Sequence, residues 1–238
     1  MTAIYGLLAC AGKASRFGGL PKWSLPVHET TLAGRVAEAM GRAGAVTTLL
    51  YRPDYRPLAN VVAYANRSQQ VTDTKTYCQT LLEFDRARYC VEGNIALFGM
   101  GDMYASGESG LDVYVKLVRV LETKKDAICA VGVWTNIRNA SQGVVGVATV
   151  GMGPAVTQIE NRYFDVSGEY LSNKGVWGAM AWRPGFWEYI KPEDEHLGEA
   201  VNRAIADCCS VASVHIKDSV LFNANTPEDY YAIIDSAS

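Results

Sequence analysis

The sequence predicts a single α/β domain with a mostly parallel central sheet flanked by helices. Three observations carry this prediction: short apolar runs without polar alternation, amphipathic helical patterns between them, and a glycine-rich loop directly after the first run. Such runs are typical of strands covered on both faces, and strand–helix alternation is typical of parallel sheets. Strands with glycine-rich turns dominate the second half of the chain, which predicts a smaller mixed-sheet elaboration there.

The first half alternates strand and helix. Leu32, Val36 and Met40 recur on one helical face, and Thr30 or Thr31 precedes them as a candidate N-cap. Predicted strands span residues 4–9, 46–51 and 94–98, and predicted helices span residues 31–43, 75–89 and 111–122. In the second half, predicted strands span residues 127–134, 144–150, 155–159, 176–182 and 211–216, with helices at 193–207 and after Pro227.

Composition excludes several classes of protein. Lys and Arg number 22 against 25 Asp and Glu, a formal charge of −3, so the balance does not favour an electrostatic nucleic-acid binder. No apolar run approaches the about 18–20 residues of a membrane helix, and the first residues do not have the pattern of a signal peptide. The six cysteines form no C-x-x-C pair. We therefore expect buried reduced thiols, a cytoplasmic location, and neither nucleic acid nor membrane as partner.

The segment at residues 8–22, with a glycine-rich loop from Gly12 to Gly19, is the main candidate for a ligand site. Small residues between a strand and a helix let backbone N–H groups approach phosphates closely. Arg16 and Lys22 would add charge-assisted contacts to an anion. The loop leaves the carboxyl end of the first strand, where open α/β sheets bind ligands, so a ligand site is favoured over a solvated surface loop.

Two common phosphate loops do not fit this segment. A P-loop requires Gly-x-x-x-x-Gly-Lys-Ser/Thr, but Phe17 stands five residues after Gly12. The dinucleotide fingerprint requires glycines where Ala14 and Phe17 stand, and an acidic residue where the second strand ends in Arg52.

The segment instead resembles the signature of nucleotidyltransferases with a Rossmann-like, GT-A-like fold, which include the sugar-1-phosphate nucleotidylyltransferases (NDP-sugar pyrophosphorylases). Their pattern is Ala-Gly-x-Gly-[Ser/Thr]-Arg, a short spacer, and Pro-Lys. Residues 11–16 (Ala-Gly-Lys-Ala-Ser-Arg) and Pro21-Lys22 match it, with Ala14 in place of the second glycine.

The resemblance continues in order along nearly the whole chain. The matching segments are Gly101-Asp102, residues 142–145 (Gln-Gly-Val-Val), residues 156–162 (Val-Thr-Gln-Ile-Glu-Asn-Arg), residues 178–184 (Gly-Ala-Met-Ala-Trp-Arg-Pro) and residues 222–230 (Phe-Asn-Ala-Asn-Thr-Pro-Glu-Asp-Tyr). In the third segment Asn161 replaces the family's lysine, and Arg162 follows it.

The resemblance implies roles for particular residues. It implies a nucleotide-binding part at about 1–125 and an acceptor-binding part at about 126–238 of the single domain 1–238. The implied catalytic residues are Arg16 and Lys22. The implied nucleotide-binding residues are Ala9, Ala11, Gly12, Lys13, Ala14, Ser15, Thr76 and Gly101. The implied acceptor-binding residues are Gly143, Glu160, Arg162, Trp177 and Gly178. The implied Mg²⁺ ligands are Asp102 with Asn225 or Asn223.

The implied reaction is transfer of a nucleotidyl group from a nucleoside triphosphate to a sugar 1-phosphate, with release of pyrophosphate. A phosphate monoester is already an anionic nucleophile, which agrees with the lack of a Ser/His/Asp or Cys/His arrangement in the sequence. Three alternatives stay open: a GT-A glycosyltransferase that uses a nucleotide sugar, a non-catalytic nucleotide-binding homologue, and transfer to another acceptor such as a phosphocholine-like or pterin phosphate. A homo-oligomer is also left open.

Overall fold

A computed structural model describes residues 2–12, 17–55, 64–71, 74–84, 91–138, 144–151, 155–163 and 174–237 of the chain. The strands in these ranges are β1 Ile4–Cys10, β2 Pro26–Val27, β3 Thr30–Thr31, β4 Val46–Tyr51, β5 Arg67–Gln70, β6 Ile95–Met100, β7 Met103–Ala105, β8 Ala127–Trp134, β9 Ile137–Arg138, β10 Val144–Val150, β11 Val156–Tyr163, β12 Lys174–Trp182, β13 Ser210–Ile216 and β14 Leu221–Asn223. The α-helices are α1 Leu32–Arg42, α2 Tyr77–Leu82, α3 Gly107–Leu111, α4 Val113–Thr123, α5 Leu197–Ala206 and α6 Pro227–Ala237, with short 3₁₀ helices at Lys22–Ser24, Pro53–Tyr55 and Pro184–Tyr189.

Nine of the described strands form one central sheet, in the order β11-β10-β12-β6-β1-β4-β5, with β8 pairing β12 and β13 pairing β8. β1 is parallel to β4 and β6, and β4 is parallel to β5. β12 is antiparallel to all three of its partners, and β10 is antiparallel to β11. The predicted α/β fold, parallel in its first half and mixed in its second, is confirmed, and the second-half strands extend the central sheet itself.

Most predicted elements are present with shifted ends. The predicted helix at 75–89 is observed as α2, and residues 85–90 lie outside the described ranges. The predicted helix at 193–207 begins only at Leu197, because Asp194 accepts a hydrogen bond from the Lys191 backbone N–H and closes a turn ahead of α5. The predicted helix at 111–122 is observed as α4, and the short helix α3 that precedes it was not predicted.

The core lies on both faces of the sheet, and β12 contributes to both. Met180 and Trp182 pack on one face, whereas Ala179 and Ala181 pack on the other, as the alternation of a strand requires. The aromatic residues that follow β12, Phe186 and Trp187, are buried beside Trp182.

The cysteines and helices bear on two expectations from the sequence. Cys10, Cys78 and Cys129 are buried, Cys209 is half-buried and Cys208 is exposed, so the expectation of buried thiols is wrong at Cys208. Cys90 lies outside the described residues. Cys208 lies in the turn after α5 with a positive φ of 61°, and this turn reverses the chain at the surface. None of the helices in the described ranges is long and apolar enough to cross a membrane.

Candidate active site

The carboxyl ends of β1 and β6 lie side by side and carry the two best matched motifs. Ala9 of β1 is in register with Met100 of β6, and the Gly101 N–H donates to the Ala9 carbonyl oxygen at 3.2 Å. The glycine loop therefore begins next to the Gly101-Asp102 turn. A Cβ on Gly101 would lie 2.5 Å from Cys10 Sγ, so the close approach of these two strand ends requires glycine at this position.

Lys22 is positioned by the short helix that it begins. Gly18 and Gly19 adopt positive φ values of 60° and 90°, which turn the loop back toward the sheet. Trp23 is only 3% exposed and packs beneath the loop against residues of β1, α1 and β4. With Trp23 anchored in the core, the Lys22 side chain extends toward the end of β6.

Three side chains meet at this edge of the sheet. Lys22 Nζ lies 3.2 Å from Asp102 Oδ2 and 3.3 Å from Asn225 Oδ1, across separations of 80 and 203 residues in sequence. The Lys22 and Asp102 side chains are 19% and 18% exposed, so the ion pair is partly screened from water and still open to a ligand. The Pro21-Lys22, Gly101-Asp102 and 222–230 motifs thus come together in one polar cluster.

The closing motif is held in place from both sides. The Ala224 N–H donates to the Asp102 carbonyl oxygen at 3.0 Å. Thr226 caps α6: its backbone and side chain bond to Asp229 Oδ2, and the Asp229 N–H donates back to Thr226 Oγ1 at 3.3 Å. Asn225 stands one residue before this cap, and its side chain faces Lys22. Asn223 ends β14 in register with Met103.

Two adjoining cavities open along the glycine loop. The first, the Lys22 cavity, has a volume of about 130 Å³ and is lined by Ala9, Cys10, Gly12, Lys22, Trp23, Tyr77 and Asp102. The second, the Thr76 cavity, has a volume of about 230 Å³ and is lined by Ala11, Gly12, Thr74, Lys75, Thr76, Tyr77, Thr80, Glu195 and His196. Because both include Gly12 and Tyr77, one extended ligand can occupy the two together.

The walls of the Thr76 cavity are fixed by hydrogen bonds. Thr76 caps α2 by accepting from the Gln79 N–H at 3.2 Å. Thr80 donates its hydroxyl to the Thr76 carbonyl oxygen at 3.0 Å, so Thr74 donates in turn to Thr80 Oγ1 at 2.7 Å. These hydroxyls are already engaged in hydrogen bonds. Besides Tyr77, the ionisable side chains that line this cavity are Lys75, Glu195 and His196.

Tyr77 and Cys10 form the floor of the Lys22 cavity, and Tyr77 also lines the Thr76 cavity. The Tyr77 ring packs edge-on against Phe98, with ring centroids 6.0 Å apart. Burial raises the pKa of the Tyr77 hydroxyl well above its usual value, and the negative charge of Asp102 adds to the effect. Burial, and then the charge of Asp102, likewise raises the pKa of the Cys10 thiol. Both groups stay protonated near neutral pH, so Asp102 supplies the negative charge of this floor.

Comparisons with known proteins address the fold. No protein-family model and no curated protein matches the chain. Solved structures match nearly all of it. The inositol-1-phosphate CTP transferase from T. maritima has a TM-score of 0.72 at 14% identity, covering 99% of this chain and 96% of that one. A Bacillus anthracis protein described as a glucose-1-phosphate thymidylyltransferase has a TM-score of 0.74 at 14% identity, covering 99% and 95%. A UTP-bound UGPase from Acinetobacter baumannii has a TM-score of 0.72 at 15% identity, covering 98% and 92%.

The chain has the same fold as these three structures. The likeness covers nearly the full length of each of these chains, so the resemblance that the motifs predicted is confirmed at the level of fold. Five of the predicted site residues lie outside the described ranges: Lys13, Ala14, Ser15, Arg16 and Gly143.

The predicted acceptor residues that the structure describes lie on β11 and β12. Glu160 and Arg162 belong to β11, which β10 separates from β12. Residues 174–176 of β12 pair with β10, and residues 179–182 pair with β6. Trp177 and Gly178 therefore lie where the partner of β12 changes from β10 to β6, beside the end of β6.

An irregularity in the pairing of β12 with β8 falls at the same place. It brings Trp177 onto the face of Met180, where Trp177 is 6% exposed and packs in the core. The opposite face receives Gly178, whose added Cβ would lie 3.1 Å from Met103 Sδ. Trp177 therefore shapes this region mainly by packing.

Oxygen ligands for a cation are present but few. The described residues contain no group of three or more His, Cys, Asp or Glu side chains that could hold a metal ion. Asp102 Oδ2 and Asn225 Oδ1 face the same Lys22 ammonium. Mg²⁺ is commonly bound by one or two carboxylates together with substrate phosphates, so this donor set fits a Mg²⁺ ion shared with a phosphorylated ligand.

Sequence reasoning missed Tyr77, Trp23, Glu195 and His196 as parts of this region. Trp23 carried a signal, since it directly follows the matched Pro21-Lys22 pair. His196 and Glu195 carried none, because their approach to Gly12 depends on how α5 packs against the sheet.

Proposed function

We propose that the protein is a nucleotidyltransferase that transfers NMP from a nucleoside triphosphate to a sugar 1-phosphate, forming an NDP-sugar and releasing pyrophosphate. The single observation that carries the proposal is the cluster of Lys22, Asp102 and Asn225 beside a cavity at the carboxyl ends of β1 and β6. A cation, a carboxylate and a neutral oxygen ligand at a strand-end glycine loop suit a polyphosphate. The nucleotide and sugar-phosphate substrates named for the matched structures agree with this choice.

The chemistry requires positioning and charge neutralisation. An oxygen of the acceptor phosphate attacks the α-phosphorus, the new P–O bond forms in line, and the bond to the leaving pyrophosphate breaks. The attacking group is already anionic, so no general base is required. Lys22 neutralises charge at the α-phosphate, and Arg16 of the loop assists the pyrophosphate. Held in a partly enclosed site, such fixed charges lower the barrier without reorganisation of solvent.

The two cavities support a placement of the nucleotide. The triphosphate occupies the Lys22 cavity beside Gly12, and Lys13, Ala14 and Ser15 remain proposed nucleotide-binding residues from the sequence motif. The base occupies the Thr76 cavity, and the proposed acceptor-binding residues are Gly143, Glu160, Arg162 and Gly178. The nucleotide-binding part is thus mainly residues 1–125 and the acceptor-binding part mainly 126–238, with Asn225 and His196 reaching back to the nucleotide.

Mg²⁺ is the proposed cofactor, held by Asp102 and Asn225, with Asn223 as the neighbouring alternative. When bound, it would neutralise phosphate charge and stabilise the leaving pyrophosphate. A glycosyltransferase of similar architecture is less well supported, because its usual Asp-x-Asp pair is absent: the residues after Asp102 are Met103 and Tyr104, both buried.

The test is a matrix of nucleoside triphosphates against phosphorylated acceptors, read by pyrophosphate release. Hexose 1-phosphates and inositol 1-phosphate are compared with phosphocholine, each with ATP, GTP, CTP, UTP and dTTP. We expect release only when a triphosphate and a sugar-type phosphate are both present. The glycosyltransferase alternative would be supported by two results together: no pyrophosphate release from any pair in the matrix, and sugar transfer from an NDP-sugar in a separate assay.

A further inference from the structure

The ammonium of Lys22 lies between the two oxygens that are the best candidates for holding a divalent cation. It is 3.2 Å from Asp102 Oδ2 and 3.3 Å from Asn225 Oδ1. Asn225 is neutral, so a single carboxylate charge is available in the trio, and Lys22 already balances it. In this arrangement the place of the cation is taken by a side chain of the protein itself.

A second positive ion cannot easily join this arrangement. Mg²⁺ binds its oxygen ligands at about 2.0–2.1 Å, so an ion on Asp102 Oδ2 would lie at most about 5 Å from the Lys22 ammonium. The two cations would then share one negative charge. No group of three or more potential metal ligands exists among the described His, Cys, Asp and Glu residues, so further carboxylates do not relieve the repulsion.

The Lys22 side chain can turn from Asp102 toward a ligand in the neighbouring cavity. The backbone of Lys22 is fixed by buried Trp23, but its four-carbon side chain borders the Lys22 cavity, which Gly12 also lines. A Cβ on Gly12 would meet nothing within 4 Å, so this wall is open backbone that a phosphate can approach. A triphosphate against Gly12 would therefore offer the ammonium a second set of anionic oxygens.

We propose that Lys22 acts as an internal counterion that keeps the cation site closed in the free protein and opens it when a triphosphate draws the ammonium away from Asp102. This rests on the proposed function, since it requires a triphosphate ligand. Divalent cation and nucleotide then bind with positive coupling, because the nucleotide both removes a competing charge and adds phosphate ligands. Coupling of this kind is reciprocal between the two ligands.

The test measures cation binding to the free full-length protein, with Mn²⁺ as a spectroscopic substitute for Mg²⁺. Free Mn²⁺ is followed by electron paramagnetic resonance for the wild type, Lys22→Met, and the matched control Lys125→Met, which removes an exposed lysine from the turn before β8. We expect Lys22→Met to bind Mn²⁺ about tenfold or more tightly than the wild type, a change within the usual range of coupling between sites. Lys125→Met should match the wild type.

A second arm adds a non-hydrolysable triphosphate analogue, with the metal–nucleotide complex that forms in buffer alone subtracted. The wild type should gain Mn²⁺ affinity, and Lys22→Met should gain less. Lys22→Gln repeats both arms if thermal melting shows that Lys22→Met is unfolded. The inference is overturned if the free wild type binds Mn²⁺ as tightly as the uncharged variants.

This outcome can be told apart from failure of the proposed function. The first arm requires neither nucleotide nor turnover. If the wild type releases pyrophosphate but Lys22→Met shows no gain of Mn²⁺ affinity, only the counterion role is refuted. A gain of affinity in Lys22→Met, together with no transfer for any substrate pair, supports the counterion role and refutes the proposed reaction.

Discussion

Asp229 Oδ2 accepts a hydrogen bond from the backbone N–H of Asn225 at 3.1 Å, and this bond ties the start of α6 to the candidate active site. The same oxygen accepts from the Thr226 N–H at 2.9 Å. Asp229 is 1% exposed, so its carboxylate is held firmly. The capping of a surface helix thereby sets where the Asn225 side chain lies relative to Lys22.

Asp229→Ala should lower both stability and activity. Loss of the cap costs about 0.5–2 kcal/mol of the free energy of unfolding. The freed Asn225 segment should in addition reduce kcat, measured at a temperature where the variant is folded. Thr31→Ala is the control, because Thr31 caps α1 by accepting from the Gly34 N–H at 3.0 Å. A similar stability loss with unchanged kcat is expected for Thr31→Ala. Equal effects of both variants on kcat would show that Asp229 acts through stability alone.

Lys22→Ala should lower turnover by orders of magnitude while the fold remains intact. The ammonium is the cation that the described structure places against Asp102 at the cavity. Lys22→Arg should also be poor, because a planar guanidinium does not replace a compact point charge. Pyrophosphate release and circular dichroism melts are compared with those of Lys125→Ala. Turnover of Lys22→Ala near the wild-type value would remove Lys22 from the mechanism.

Asp102→Asn should abolish Mg²⁺-dependent activity, because the cluster of Lys22, Asp102 and Asn225 would then contain no anion. The matched variant is Asp218→Asn. Asp218 is the nearest acidic residue before the closing motif, but it is exposed and lies beside Gly107, at the end of β14 remote from Asn223. Calorimetric titration of Mg²⁺ in the presence of a triphosphate separates the two. If Asp218→Asn lost Mg²⁺ affinity and Asp102→Asn kept it, the metal ligand would be Asp218 and not Asp102.

Gly101→Ala should destabilise the protein by about 1–3 kcal/mol, since overpacking a tight contact forces neighbours to move. The added Cβ would lie 2.5 Å from Cys10 Sγ and 2.9 Å from Trp23 Cβ. Gly12→Ala is the control, because its Cβ would face open space. We expect Gly12→Ala to change the free energy of unfolding by less than about 0.5 kcal/mol but to weaken triphosphate binding. Urea unfolding curves that show equal stability for the two variants would contradict the packing described at Gly101.

Alkylation should distinguish the thiols. Cys208 is exposed, whereas burial and the charge of Asp102 raise the pKa of Cys10 and leave little of the reactive thiolate at neutral pH. Iodoacetamide at pH 7.5, about physiological, should label Cys208 first and Cys10 only on unfolding, as read by peptide mass spectrometry. Asp102→Asn should lower the pKa of Cys10 somewhat but leave its labelling slow, because burial is the larger cause. Rapid labelling of folded wild-type protein at Cys10 would show that the floor of the cavity is open.

The sequence by itself determined the α/β class, the order of its main elements and the places of its motifs. These features depend on local properties: apolar runs predict β1, β4 and β6, and the Pro-Lys pair and the strand-to-turn change at Gly101 mark positions along one chain. The strands β2, β3, β5, β7, β9 and β14 were not predicted, since segments of two to four residues carry too little periodicity. The start of α5 was missed because Asp194 closes a turn where the helical pattern alone predicts helix.

Only the tertiary structure decided which of these residues meet. Lys22 and Asn225 are 203 residues apart, and their contact depends on the pairing of β14 with β7 and on the packing of Trp23. The structure also decided that Thr226 rather than Asn225 caps α6, and that Tyr77 and His196 line the cavities. These relationships arise from long-range packing of apolar side chains, whose outcome is a property of the whole core, and no segment of the sequence carries it alone.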